Sequence, residues 1–326
     1  MARPETTPAF FARLFGEGES RELALDQLGQ ALDDEALLWV DLLDPPVAVL
    51  DAVWEHCGFP EEARRFIEEG TMPAAGQDGD HFWVRCVVID KDGQEDAQGT
   101  LLICVAGRNR ALSLRRRAIP FLEAMRDDEH RRVALGRLCA ESFVATLLDR
   151  QLSTYFNAVS SYEMAVERLE VDILGDKASG CLPELRRLRR WASRLRRMLA
   201  PHRSVFGVMA RPDFRPDESQ PADRHFVALD TRFERAMDMV ENARELVIGS
   251  FELFSNQTAL RTNDSMRLLT FVTVVTGVLA TIVGALGMNF AAGFFETRDA
   301  GFWTVLGGLV IAAVVSMVVG KRRGWF

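Results

Sequence analysis

The sequence predicts an α+β soluble region, a small antiparallel-rich sheet with helices, that passes through one very long helix into a two-helix transmembrane hairpin. Three observations carry this. Residues 268–286 read LLTFVTVVTGVLATIVGAL without a charge, and at 1.5 Å per residue they make a helix about 28 Å long, the thickness of a bilayer's hydrocarbon core. A second uncharged run, 301–320, follows closely enough for the chain to cross and return. After Pro221 there is no proline, so nothing need stop a helix from 222 to 286, about 95 Å long.

Upstream, the elements follow from pattern and punctuation. Residues 37–43 (LLWVDLL) form a short apolar run closed by Asp44-Pro45-Pro46, hence a buried strand and a turn. Residues 47–70 have helical spacing with a break at Cys57-Gly58-Phe59-Pro60. Residues 81–90, 100–105 and 110–115 are rich in β-branched and aromatic side chains, and turn signals separate them (Lys91-Asp92-Gly93, Gly107-Arg108-Asn109), which gives antiparallel strands. Arg115, Arg116 and Arg117 then read as a solvated basic edge. Beyond Pro120 the pattern is helical: 131–174, a loop near Gly175, and a second helix over 182–210 bearing seven arginines from Arg186 to Arg197. Three prolines in 211–221 mark a connector. The resulting organisation is 1–125 α/β, 126–221 helical, 222–267 stalk helix and 268–326 transmembrane hairpin.

Composition narrows the function classes. A net charge of −8 argues against nucleic-acid binding and suits a field that concentrates cations. Five scattered cysteines contain no C-x-x-C pair, so neither a disulfide framework nor a zinc site is expected, and thiols fit a reducing cytosol. The first twenty residues lack the pattern of a cleaved signal peptide. Arg261 and Arg267 precede the first span and Lys321, Arg322 and Arg323 follow the second, while the loop between has Arg298 against Glu296 and Asp299. Positive-inside counting therefore places both termini in the cytoplasm. No P-loop, nucleophile–base motif or metal-ligand spacing occurs, so no enzyme activity and no cofactor are expected.

The first span has two unlike sides. Met266, Thr270, Thr273, Gly277, Ala280, Gly284 and Gly287 share one, and Phe271, Val275, Leu279, Ile282 and Leu286 lie mostly on the other. A small, hydroxyl-bearing side serves close helix packing or, with several copies around an axis, lines a narrow pore. On the stalk, Glu234, Asp238, Glu241, Glu245 and Glu252 form an acidic stripe: a solvated face paired with Arg235 and Arg244, or a wall that attracts cations.

Gly287-Met288-Asn289 ends the first of two terminal spans, an Asn263-x-x-Met266-x-x-Leu269-Thr270 lead-in precedes it, and Lys321-Arg322-Arg323-Gly324-Trp325-Phe326 closes the sequence. This combination resembles the CorA family of divalent-cation channels and transporters, which includes ZntB. The resemblance implies a homopentamer in a bacterial-type inner membrane, with a cytoplasmic funnel and one pore helix per subunit. Asn289 would supply the amide ring that captures a hydrated cation, with Gly287 and Met288 shaping the loop. Asn263, Met266, Leu269, Thr270, Thr273, Gly277, Ala280 and Gly284 would line the path. The cargo implied is Mg²⁺ first, with Co²⁺ or Ni²⁺ beside it, or Zn²⁺ with proton coupling in a ZntB-like alternative. The chain departs from the family in having Gly277-Val278-Leu279 where many relatives place a proline, and Phe290-Ala291-Ala292 after Asn289. Rival readings are a membrane-anchored enzyme acting through 1–210 and an anchored helical scaffold.

Overall fold

The computed structural model describes residues 9–16, 20–30, 36–89, 98–127, 138–175, 180–214, 220–287 and 298–323. Seven strands form one mixed sheet: β1 (Phe10–Phe15), β2 (Ser20–Glu22), β3 (Leu37–Leu43), β4 (Ala74–Asp78), β5 (His81–Ile89), β6 (Gly99–Gly107) and β7 (Arg110–Arg115). Their order is β2-β1-β3-β7-β6-β5-β4. The 81–115 meander is antiparallel as its turns require, whereas β3 and β7 pair in parallel. The helices are α1 (Val47–Cys57), α2 (Glu61–Glu68), α3 (Pro120–Asp127), α4 (Ala140–Leu174), α5 (Cys181–Leu199), α6 (His202–Met209), α7 (Gln220–Leu286) and α8 (Arg298–Arg322).

Two compact units divide the chain, one of residues 1–169 with 182–249 and one of 170–181 with 250–326. In the first, strand alternation sorts the core. Leu38, Val40 and Leu42 meet Val53, Trp54, Cys57, Phe59 and Ala63 of the α1–α2 side, while Trp39 points the other way, its ring 5.3 Å from that of Phe143 on α4. Gly58 takes φ 65° and its N–H donates to Trp54 O, the left-handed cap that ends α1 where the Cys57-Gly58 break was expected.

Two expectations need correction. The helix expected over 182–210 is two helices, α5 and α6, because Pro201 has no N–H to continue the ladder. Arg115 is no part of a solvated edge: it is 1% exposed and its Nη2 lies 3.1 Å from Asp41 Oδ2. Asp41 also pairs with Arg126 and accepts a 2.6 Å hydrogen bond from Ser113 Oγ, which itself accepts from Trp39 Nε1 at 3.0 Å. Arg126 and Arg13 flank the Phe11 ring at 4.8 and 4.9 Å. Burial lowers the Arg126 pKa, and the Asp41 carboxylate opposes that shift.

A second buried network fastens the helices to the sheet. β4 covers β5 only from Arg85 to His81, so the far end of β5 has unpaired backbone groups on that side. Helix side chains fill the gap. The Val87 N–H donates to His202 Nε2 at 2.9 Å, Gln151 Nε2 and Tyr155 O–H donate to Val87 O at 2.7 and 3.1 Å, and the Ile89 N–H donates to Thr154 Oγ1 at 3.1 Å. His202 Nδ1 lies 3.1 Å from Leu199 O, so the ring is neutral with its proton on Nδ1. Burial lowers its pKa to about 4.

That shift fixes a pH dependence. Below about pH 6.5 an unfolded histidine takes up a proton that folded His202 refuses until pH is near 4, so stability falls as pH drops through that window. At 1.36 kcal/mol per unit the loss is about 3 kcal/mol. Denaturant unfolding at pH 7, 5.5 and 4 should show it, and His202→Gln, which keeps an acceptor for Val87, should flatten most of it. His81, whose pKa burial also lowers, adds a slope of the same sign. An equally steep His202→Gln profile would remove the assignment.

Candidate functional site

The site expected from sequence lies on α7 and is built by helix periodicity. Its 67 residues run without interruption from Gln220 to Leu286. At 3.6 residues per turn, Asn263, Met266, Leu269, Thr270, Thr273, Gly277, Ala280 and Gly284 fall within about 120° of arc. The eight are exposed; Met266 and Leu269 are 56% and 60% exposed. On the other side Phe271, Val275, Leu279 and Leu286 are half-buried, whereas Ile282 and Val272 are 41% and 49% exposed. A Cβ added at Gly277 or Gly284 would meet no atom within 4 Å. The small side of the helix therefore does not pack on described residues of its own chain.

Hydroxyl groups on this helix are satisfied locally. Thr270, Thr273, Thr276 and Thr281 each donate to the carbonyl four residues back, at 2.7 to 2.8 Å. With the O–H committed to the backbone, an apolar medium meets no unpaired donor, and the oxygen lone pairs stay outward to accept from water. The Gly287 N–H donates to Val283 O at 3.0 Å, which ends the helix. Met288 and Asn289 lie outside the described residues.

Candidate spans coincide with the two uncharged runs: the apolar end of Arg224–Leu286, and Trp303–Arg322, with 0% and 6% of their most apolar windows buried. Surface this apolar needs lipid or other protein against it. Within the same unit, the α4–α5 turn braces the base of the span. Ser250 Oγ donates to Glu170 Oε1 at 2.7 Å, and Arg261 donates to Gly175 O.

The acidic stripe is partly neutralised, by Arg244 as the sequence suggested and by two arginines the sequence reading did not assign to it. Arg203 of α6 meets Glu234 at 3.0 Å, Arg196 of α5 pairs with Glu241, and Arg244 lies 3.7 Å from Glu241. Asp238, Glu245 and Glu252 are exposed. Sequence reasoning missed the Arg196 and Arg203 pairs because they join residues 45 and 31 positions apart. The antiparallel fold of α5–α6 against α7 was the signal that would have found them.

An α+β region whose last helix becomes the first of two apolar spans, with threonine oxygens along an exposed strip of that span, has the layout of a membrane transport protein. The chain belongs to the CorA family: residues 34–322 match the family described as CorA-like Mg²⁺ transporter protein, whose members move divalent cations. It is 22% identical over 315 residues to the cobalt/magnesium transport protein CorA of Methanocaldococcus jannaschii, covering 95% of this chain and 97% of that one. It is 28% identical over 270 residues to the divalent cation transporter CmaX of Pseudomonas aeruginosa, covering 79% and 78%. The complete M. jannaschii CorA structure superposes with a TM-score of 0.70 at 19% identity over 98% of this chain and 99% of that one, and full-length CmaX with 0.71 at 23% over 98% and 100%. The cytoplasmic domain of ZntB from Vibrio parahaemolyticus gives 0.59 at 8% identity, covering 77% and 99%. These likenesses agree with the expected fold: a mixed sheet with helices, a long helix and a C-terminal apolar helix.

Proposed function

We propose that this chain conducts divalent cations, Mg²⁺ first and Co²⁺ or Ni²⁺ beside it, through a central pore of a homopentamer in a bacterial-type inner membrane with both termini cytoplasmic. One observation carries the reading: the small, oxygen-bearing strip from Met266 to Gly284 has open space beside Gly277 and Gly284, while Phe271, Val275, Leu279 and Leu286 on the other side are half-buried. Asn289 rings the outer mouth, with Gly287 and Met288 setting the turn. Mg²⁺ dehydrates reluctantly and keeps several waters, so neutral amide oxygens suit its hydration shell. Met266 and Leu269 form an apolar constriction that closes by dewetting. Asp238, Glu245 and Glu252 supply negative potential below it. A potential of 100 mV drives a divalent ion with about 4.6 kcal/mol, twice the single-charge value.

A pair of tryptophan substitutions tests the orientation. In proteoliposomes, Gly277→Trp on the proposed pore side should cut Mg²⁺ uptake about tenfold or more, a barrier increase of about 1.4 kcal/mol. Val272→Trp, away from that side, should leave uptake within about twofold of wild type, under 0.5 kcal/mol. Equal loss in both, or in neither, would reject the pore assignment. Running wild type against Mg²⁺, Co²⁺, Ni²⁺ and Zn²⁺ ranks the cargo, with Zn²⁺ uptake that dissipates a proton gradient favouring the ZntB-like alternative.

A further inference from the structure

Among the polar residues of α7 between Ser250 and Leu268, some bond within the chain, while Glu252, Ser255, Gln257 and the two asparagines have no hydrogen bond or ion pair among the described residues. Thr258, Thr262 and Ser265 donate to carbonyls four residues back, at 2.8 to 3.0 Å. Ser250 and Arg261 are held by the α4–α5 turn, and Arg267 lies 3.8 Å from Asp264. Asn256 and Asn263 are exposed, and neither amide has a partner among the described residues. At 100° per residue, Asn256, Ala259, Asn263, Met266, Thr270 and Gly277 fall within about 80° of one another, opposite Ser250 and Arg261. The side of α7 away from its brace thus carries two unengaged amides two turns apart, about 10 Å along the axis, with Ala259 and the exposed Leu260 flanking the line between them.

An exposed asparagine inside a helix has a cost, since its amide competes for the backbone. Local bonding would occupy it, as it does the hydroxyls of Thr258, Thr262 and Ser265. Asn256 stays unengaged, and it stands at the spacing that repeats the Asn263 amide on the same side. Amide oxygens accept from the waters of a hydrated cation without removing them. Two such stations in series let an ion pass from one to the next, because each holds it weakly enough to release it.

Resting on the pore reading above, we propose that Asn256 is a further ion-positioning residue, an amide station beyond Asn263 on the side of the Met266–Leu269 constriction away from the membrane. The predicted ligand is the hydrated divalent cation, received through the Asn256 side-chain oxygen. Asn256→Gln should keep Mg²⁺ uptake within about twofold of wild type, whereas Asn256→Leu should lower it about tenfold, the loss of one such hydrogen bond to a charged group.

The test uses the full-length protein in liposomes, with Mg²⁺ uptake read by an internal dye. Asn256→Cys and Asn263→Cys are each treated with a positively charged methanethiosulfonate reagent, and wild type treated in parallel reports any effect at the native thiols, of which Cys139 is half-buried and the other four are buried. Reagent block of both variants, slowed by Mg²⁺, together with the Gln–Leu contrast, is the expected result. Block of Asn263→Cys without block of Asn256→Cys overturns the inference and leaves the pore reading standing. Block of neither variant overturns the pore reading itself. Block of Asn256→Cys with full uptake by Asn256→Leu also overturns the inference, since the position would then touch the path without its amide doing anything.

Discussion

Asn289→Ala should lower Mg²⁺ uptake by proteoliposomes about 10- to 100-fold, the kinetic equivalent of 1.5–3 kcal/mol for a lost hydrogen bond to a charged group. The ion sets the requirement. Mg²⁺ is bound through its waters, so the entry site needs acceptors that hold a hydration shell in register and gain nothing by stripping it. A side-chain amide oxygen is such an acceptor, and several copies around an axis place them symmetrically. In the proposed ring, alanine would remove every acceptor at once. Alanine is smaller than asparagine and uncharged, so insertion and assembly should survive. The loss should therefore appear in flux with protein yield and elution volume unchanged. Asn289→Asp should behave differently, tightening capture while slowing release, because conduction needs a site weak enough to leave. Uptake by Asn289→Ala equal to wild type would remove the residue from the path.

Much of the fold was legible because its signals are local. The absence of proline after Pro221 marked α7, which begins at Gln220; a short apolar run closed by Asp44-Pro45-Pro46 marked β3, and β-branched and aromatic runs between turn signals marked β5 to β7. β4 (AAGQD) has little strand propensity and exists through its ladder to β5, and β1 (FFARLF) carries a charge in a run too short to separate from other apolar segments. Pro201 was visible, but the amphipathic period continues across it and outweighed it. The pairing of β3 beside β7 in parallel joins residues more than seventy positions apart, which no local pattern encodes. The candidate path was legible for the same reason as α7: one helix periodicity places all its members. The Asn289 turn lies outside the described residues, so its part still rests on the motif alone.

Asp41 sits where local reading fails most completely, and there the second large effect is expected. Residues 37–43 read as a buried strand with nothing local to say what its one Asp pairs with, and the Arg115–Arg117 cluster reads as a surface edge. The parallel register sets Asp41 opposite Ser113, two residues from Arg115, and α3 brings Arg126 to the same carboxylate. Asp41 and Arg115 are 0% and 1% exposed. Charges this deep offset their desolvation only while each has its partner, and removing one side of a buried pair costs about 3–5 kcal/mol. Asp41→Asn keeps the shape and an oxygen for Ser113 but leaves two guanidiniums without that carboxylate; Glu123, 3.4 Å from Arg115, answers only part of the charge. At about 2–4 °C per kcal/mol for a unit of this size, the melting temperature of the full chain in detergent should fall by about 10 °C. Glu22→Gln provides the contrast. Its carboxylate pairs with Arg13 but is 65% exposed, so water screens the interaction and the cost should stay below about 1 kcal/mol. If the two substitutions prove equally mild, the buried charges contribute no more than surface ones, and the sheet is held by its apolar packing alone.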